Sequence, residues 1–160
     1  MSLIYGSSGD DLIEGTDDAD EIFGFEGNDT VKGGKGKDKL YGGSGNDSLD
    51  GGEDDDSLYG ADGNDTLIGN SGNDDIWGGD GNDSLQGGDG NDDIWGGDGN
   101  DSLQGGAGDD KLNDISGLNV LDGGDGNDDI WGGDGNDSLQ GGSGDDKLND
   151  ISGLNVLDGG

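Results

Sequence analysis

From Gly6 to Asp158 the chain divides, without insertion or deletion, into seventeen nonapeptides close to GGxGxDxUx, where U is aliphatic. Position eight is aliphatic in every unit, from Ile13 through Val31, Leu85 and Ile130 to Leu157. Position six is Asp from Asp11 to Asp146 and departs from it only at Asn119 and Asn155. A short fixed period held this long marks a solenoid, in which each unit packs only on its neighbours. Residues 1–5 read as a lead-in strand, 6–158 as a single array of repeats, and 159–160 as its C-terminal end.

The first six residues of a unit carry turn signals and the last three read as a short strand, as in Ser84-Leu85-Gln86. Gly takes position one in fifteen units and position four in fifteen. Glycine at a fixed phase implies either positive φ or close approach of one loop to the next. One such strand has a single side chain to bury. Stacked copies hydrogen-bond about 4.8 Å apart as parallel sheets, and an opposite layer is needed to cover the aliphatic row. Two nonapeptides per turn solve this, with odd units in one sheet and even units in the other.

Position nine supports the eighteen-residue turn independently. Phe23, Tyr41, Tyr59, Trp77, Trp95 and Trp131 fall in even units, and Tyr5 shares their column. Only Phe25 among the aromatic residues lies outside it. The expected fold is an all-β parallel β-roll with an 18-residue turn and two short-stranded parallel sheets. Position eight then points inward, and the aromatic column forms an outward row. Residues 87–122 and 123–158 are identical except for Ala107 against Ser143, a copy of two whole turns.

A charge of -34 over 160 residues, with 42 Gly and 24% apolar residues, is ordinarily the composition of a disordered chain. Disorder explains the acidity but not the phase, and it is the expected state without metal. Six Lys against 40 acidic residues leave a surface that nucleic acid or an anionic membrane would repel. No apolar run approaches the ~18 residues that span a bilayer. The start MSLIYG lacks a basic segment followed by an apolar one, so no cleavable secretory signal is expected. With no Cys and no His there is no disulfide, and no zinc site or triad of the usual kinds. Carboxylates sit in repeated slots rather than in one constellation, so they are ligand candidates before general bases. No enzyme is expected.

Carboxylates stacked about 4.8 Å apart repel by roughly 3–4 kcal/mol per pair at an effective dielectric near 20. One aliphatic residue in nine makes too thin a core to overcome that. A hard divalent cation between loops reverses the sign. Oxygen donors without nitrogen or sulfur, on flexible glycine loops, favour Ca²⁺.

GGDGNDSLQ at 78–86, GGDGNDDIW at 87–95 and GGSGNDSLD at 42–50 resemble the RTX (hemolysin-type) calcium-binding nonapeptide. The resemblance covers residues 6–158. It implies a right-handed parallel β-roll with Ca²⁺ between loops one full turn apart. It also implies an extracellular protein, secreted by the type I route, unfolded inside the cell and folding in external calcium. Carried over, the metal ligands are Asp11, Asp20, Asp29, Asp38, Asp47, Asp56, Asp65, Asp74, Asp83, Asp92, Asp101, Asp110, Asp128, Asp137 and Asp146. At one site the loop 78–83 would add the carbonyls of Gly78 and Asp80, and its neighbour 96–101 those of Gly97 and Gly99.

Eight even and nine odd loops leave fifteen gaps. Three of them touch Asn119 or Asn155, so about twelve well-occupied calcium sites are expected, with the amide oxygens donating weakly in the rest. Asp114-Ile115 and Asp150-Ile151 replace the leading Gly pair, and Leu118 and Leu154 enter the loops beside the two asparagines. Asp18 and Asp54 replace the fourth Gly, and Asp tolerates positive φ. Lys35 and Lys37 are expected to point outward. The reading is thus a calcium-binding structural module of a larger secreted protein such as a protease, lipase, epimerase or adhesin. An engineered or excised scaffold, suggested by the abrupt Gly159-Gly160 end, is one alternative. An ice- or glycan-binding segment is another. Ice binding needs a row of Thr and Asn, whereas Asp, Ser or Lys flanks the repeated GND. The aromatic column could serve docking or self-association.

Overall fold

The computed structural model describes residues 1–153 and 155–160, so Leu154 lies outside the described residues. Every regular element among those residues is a β-strand. Strands alternate between two sheets along the chain. The first sheet runs Ser2–Tyr5, Asp20–Glu26, Lys39–Ser44, Ser57–Asp62, Asp75–Asp80, Asp93–Asp98, Lys111–Asn113, Asp129–Trp131, Lys147–Asn149. The second runs Leu12–Glu14, Thr30–Lys35, Ser48–Glu53, Thr66–Ser71, Ser84–Asp89, Ser102–Ala107, Val120–Asp125, Ser138–Ser143, Val156–Asp158. Two short strands, Ser116–Gly117 and Asp134–Gly135, pair beside the first sheet. Pairing is parallel and joins residues eighteen apart, as in Ile4 with Ile22, Ile94 with Leu112 and Leu139 with Leu157. The chain is a parallel β-roll of nine turns.

Most strands exceed the expected three residues, while Leu12–Glu14, Lys111–Asn113, Asp129–Trp131, Lys147–Asn149 and Val156–Asp158 keep to three. Ser84–Asp89 is typical: it continues through the Gly pair of the following unit, and Leu85 and Gly87 both face inward. Extended backbone persists because the parallel ladder continues, with Gly88 paired to Gly106. Gly88, with φ at 124°, bends the strand without ending it. Only positions four to six remain as turn. Asp83, Leu85 and Gly87 are all buried, which is the period-two alternation of a strand.

Fifteen aliphatic residues, Ile13 to Leu139, form the core, with Ile4 and Leu148 packed against it. Leu157 is the exception to the inward expectation: it is 49% exposed. Its strand is the last of its sheet, with a neighbour on one side only. The position-nine rings face out as expected. Tyr5, Phe23, Tyr41, Tyr59 and Trp77 stack in succession, with centroids 5.5, 4.7, 4.8 and 4.6 Å apart. Phe25, outside the column in sequence, joins the first end, 6.0 Å from Tyr5. Among the described residues the stack stops at Trp77, leaving Trp95 and Trp131 exposed.

Candidate metal centre

The three-residue turn delivers position six to the first inward-facing place of each strand. Thirteen of the predicted aspartates, Asp20 to Asp137, are accordingly buried, while Asp11 and Asp146 at the two ends are half-exposed. One oxygen of each is tied to backbone. Asp83 Oδ1 accepts the Asp65 N–H at 2.8 Å, and Asp101 Oδ1 accepts the Asp83 N–H at 2.8 Å. The pattern runs from the Ser2 N–H on Asp20 to the Asp137 N–H on Asn155.

The other oxygen is different. Oδ2 is buried without a hydrogen-bond partner in thirteen position-six aspartates, Asp29 through Asp110, Asp128, Asp137 and Asp146. A buried carboxylate oxygen left unpaired costs folding free energy, and a row of them in register costs it at every turn. The first two aspartates depart from this. Ser7 donates to Asp11 Oδ2 at 2.6 Å from its N–H and 2.9 Å from its hydroxyl, and Thr16 donates twice to Asp20 Oδ2 at 2.8 Å.

Glycine at position one leaves the room into which Oδ2 points. A Cβ on Gly78 would stand 2.6 Å from the Gly96 carbonyl oxygen and closer still to Asp83 Oδ2. Positive φ belongs instead to positions two and four, and even Phe25, Ala61, Asn70 and Asp54 adopt it, at 85°, 88°, 77° and 82°. Asp18 does not. Position one thus requires glycine for close approach alone, whereas positions two and four combine positive φ with close approach, a Cβ on Gly81 running into the Gly63 carbonyl oxygen.

Among the described residues no three His, Cys, Asp or Glu side chains converge on one point. A cation here must take most of its ligands from backbone carbonyls, with carboxylate oxygens supplying the charge. That all-oxygen donor set, on glycine-bearing loops, suits calcium. The Asp80 carbonyl already accepts the Gly63 N–H at 2.8 Å, leaving one lone pair for a ligand role.

The titration behaviour follows from this burial. Burial pushes Asp38, Asp65, Asp74, Asp83 and Asp92 up to about 6, and Asp56 and Asp110 to about 7. The bonded backbone N–H of the previous turn works against that rise, and neighbouring carboxylates add to it. At Asp20 burial is outweighed by the hydrogen bonds from Thr16 and Ser2, and the carboxyl falls to about 2.

A second row, which the sequence reading missed, borders the site. Asn46 Oδ1 accepts the Asn64 N–H at 2.7 Å, and Asn64 Oδ1 accepts the Asn82 N–H at 2.7 Å. At position five the side chain therefore reaches toward the next turn, whereas at position six it reaches toward the previous one. The recurrence of Asn-Asp in the repeat is the signal that could have revealed it. Lys35 and Lys37 point outward and pair with Glu53 and Asp55 of the next turn, the former at 2.8 Å.

Asn119 changes the site more than a weaker oxygen would. Its Oδ1 accepts the Asp101 N–H at 2.9 Å, so Nδ2, a donor, is left buried and unpartnered where other turns have a free oxygen.

A family model described as RTX calcium-binding nonapeptide repeat (4 copies) matches residues 5–40, 23–58, 32–67, 41–76, 68–103, 86–113 and 115–149. No curated protein matches the chain significantly.

Proposed function

Because the chain belongs to the family of RTX calcium-binding nonapeptide repeats, we propose that it is a folding module that orders only when calcium fills the gaps between its loops. The observation that carries this is the row of buried, unpartnered Asp Oδ2 atoms. The ligands are the position-six aspartates from Asp11 to Asp146, together with carbonyls of the glycine loops. Bound calcium neutralises the stacked carboxylates. The chain's own part is to fix one oxygen of each Asp from Asp29 onward on backbone, hold the other toward the gap, and leave position one of the regular units without a side chain. The module is structural rather than catalytic, and it serves a larger secreted protein that leaves the cell unfolded, where calcium is scarce.

Loops share ions with neighbours on both sides, so folding is cooperative in calcium. The affinity falls in the range of extracellular modules, about 10⁻⁴–10⁻³ M, or tighter through cooperativity. Calcium titration followed by circular dichroism tests this, with a steep change from disordered to β-rich as the expected result. A β-rich spectrum that survives excess chelator would overturn it.

A further inference from the structure

The unit 114–122 breaks the repeat three times: Asp114 and Ile115 stand where the Gly pair is regular, and Asn119 where Asp is. Asn119 and Asp114 both bear on Asp101, the first through its backbone N–H and the second through its free oxygen. Position one faces inward, and Asp114 is only 6% exposed. Its Oδ1 accepts the Ser116 N–H at 3.1 Å, and its Oδ2 is buried without a partner. That is the arrangement of a position-six aspartate, with one oxygen tied to backbone and the other free. The free oxygen points at Gly96, where the unpartnered Oδ2 of Asp101 also closes in. A Cβ on Gly96 would lie 2.8 Å from Asp101 Oδ2 and nearer still to Asp114 Oδ2. At the regular Gly78 the corresponding neighbours are one carboxylate oxygen and one glycine carbonyl.

This gap has therefore lost a carboxylate at position six and gained one at position one. The unit 150–158 repeats the exchange. A Cβ on Gly132 would lie 3.1 Å from both Asp137 Oδ2 and Asp150 Oδ2, each unpartnered. Resting on the calcium reading above, we propose that Asp114 and Asp101 together hold a divalent cation between loops 96–101 and 114–119. Asp150 and Asp137 hold another in the same way. The gap between 114–119 and 132–137 has no such rescue, because Asn119 Nδ2 occupies the place of the free oxygen and position one there is Gly132. Of the three gaps that touch an asparagine, only that one loses its ion.

Equilibrium dialysis of the full chain against calcium counts the ions. Asp114→Asn is expected to bind one ion fewer than the parent, and Asp114→Asn with Asp150→Asn two fewer. Asp114→Gly with Asn119→Asp restores positions one and six of the unit and should bind one more than the parent, since it also fills the unrescued gap. An unchanged count in Asp114→Asn, or a gain of two in the rebuilt variant, overturns the proposal and leaves the Asp101–Asp114 pair to a shared proton. The rebuilt variant decides the matter even if Asp114→Asn does not fold. A parent that binds no calcium overturns the calcium reading itself, a result distinct from either.

Discussion

At position six, as in Asp83, one carboxylate oxygen is bonded to backbone and the other has no partner, and the neighbouring glycine leaves the space into which the second points. Ala at position 78 would fill that space. Gly78→Ala is expected to raise the calcium concentration at the folding midpoint, because its Cβ meets Asp83 Oδ2 and the Gly96 carbonyl. The exposed change Gln86→Ala should move stability by no more than about 0.5 kcal/mol. Circular dichroism titrations of the two variants make the comparison, and equal midpoints would contradict the cradle. Proton binding acts on the same oxygens. Carboxyls raised to about 6–7 in the roll hold protons more tightly than in the unfolded chain, where the value is about 4. Their contribution to the metal-free roll is therefore fully present below pH 4 and is lost as pH rises through 6–7. In chelator, β-structure should increase on acidification from pH 8 toward 4, read by circular dichroism. Calcium binding near pH 6 should release protons, measurable in a weakly buffered titration. The recurring Asp as a ligand and the oxygen-only donor set were legible in the repeat; that this Asp faces inward was not, because position six read as turn. That Oδ1 is already engaged by backbone was not, because that bond depends on where the previous turn's N–H points.

The strand shows where periodicity informs and where it fails. Alternation from Ser84 to Gln86 identified the buried Leu85, but the glycines that follow looked like turn and are strand. A residue without a side chain carries no alternation to read. The aromatic column was legible as an outward row of stacking neighbours, yet where the stack ends was not, since that depends on ring orientation. Tyr59 and Trp77 lie 4.6 Å apart with planes 3° from parallel, while Trp95 has no stacked ring among the described residues. A stacked aromatic pair contributes about 0.5–1.5 kcal/mol beyond its buried area. Trp77→Thr should therefore demand more calcium for folding than Trp95→Thr. If both variants fold normally and instead lose a dimer in sedimentation, the row is a contact surface rather than a sheet stabiliser.

Across the whole molecule the charge of -34 sets the contrast between states. A chain of this length without structure has a radius of gyration of about 40 Å, larger still with self-repulsion. Small-angle scattering in chelator should show that dimension shrinking with added salt, and collapsing on addition of calcium. A compact particle in chelator at neutral pH would contradict the electrostatic account. The nine-turn stack also explains why the near-identical segments 87–122 and 123–158 keep one eighteen-residue register. Each turn contacts only the turns above and below it.

The constant eighteen-residue register gives the roll the property of a ruler. A copy of 36 residues adds two turns, about 9.6 Å of axis at the sheet spacing, with the cross-section unchanged. Tandem duplication thus alters how far apart the two ends are held while every side chain keeps its neighbours. Reach becomes a quantity that recombination can set in steps of about 4.8 Å per turn.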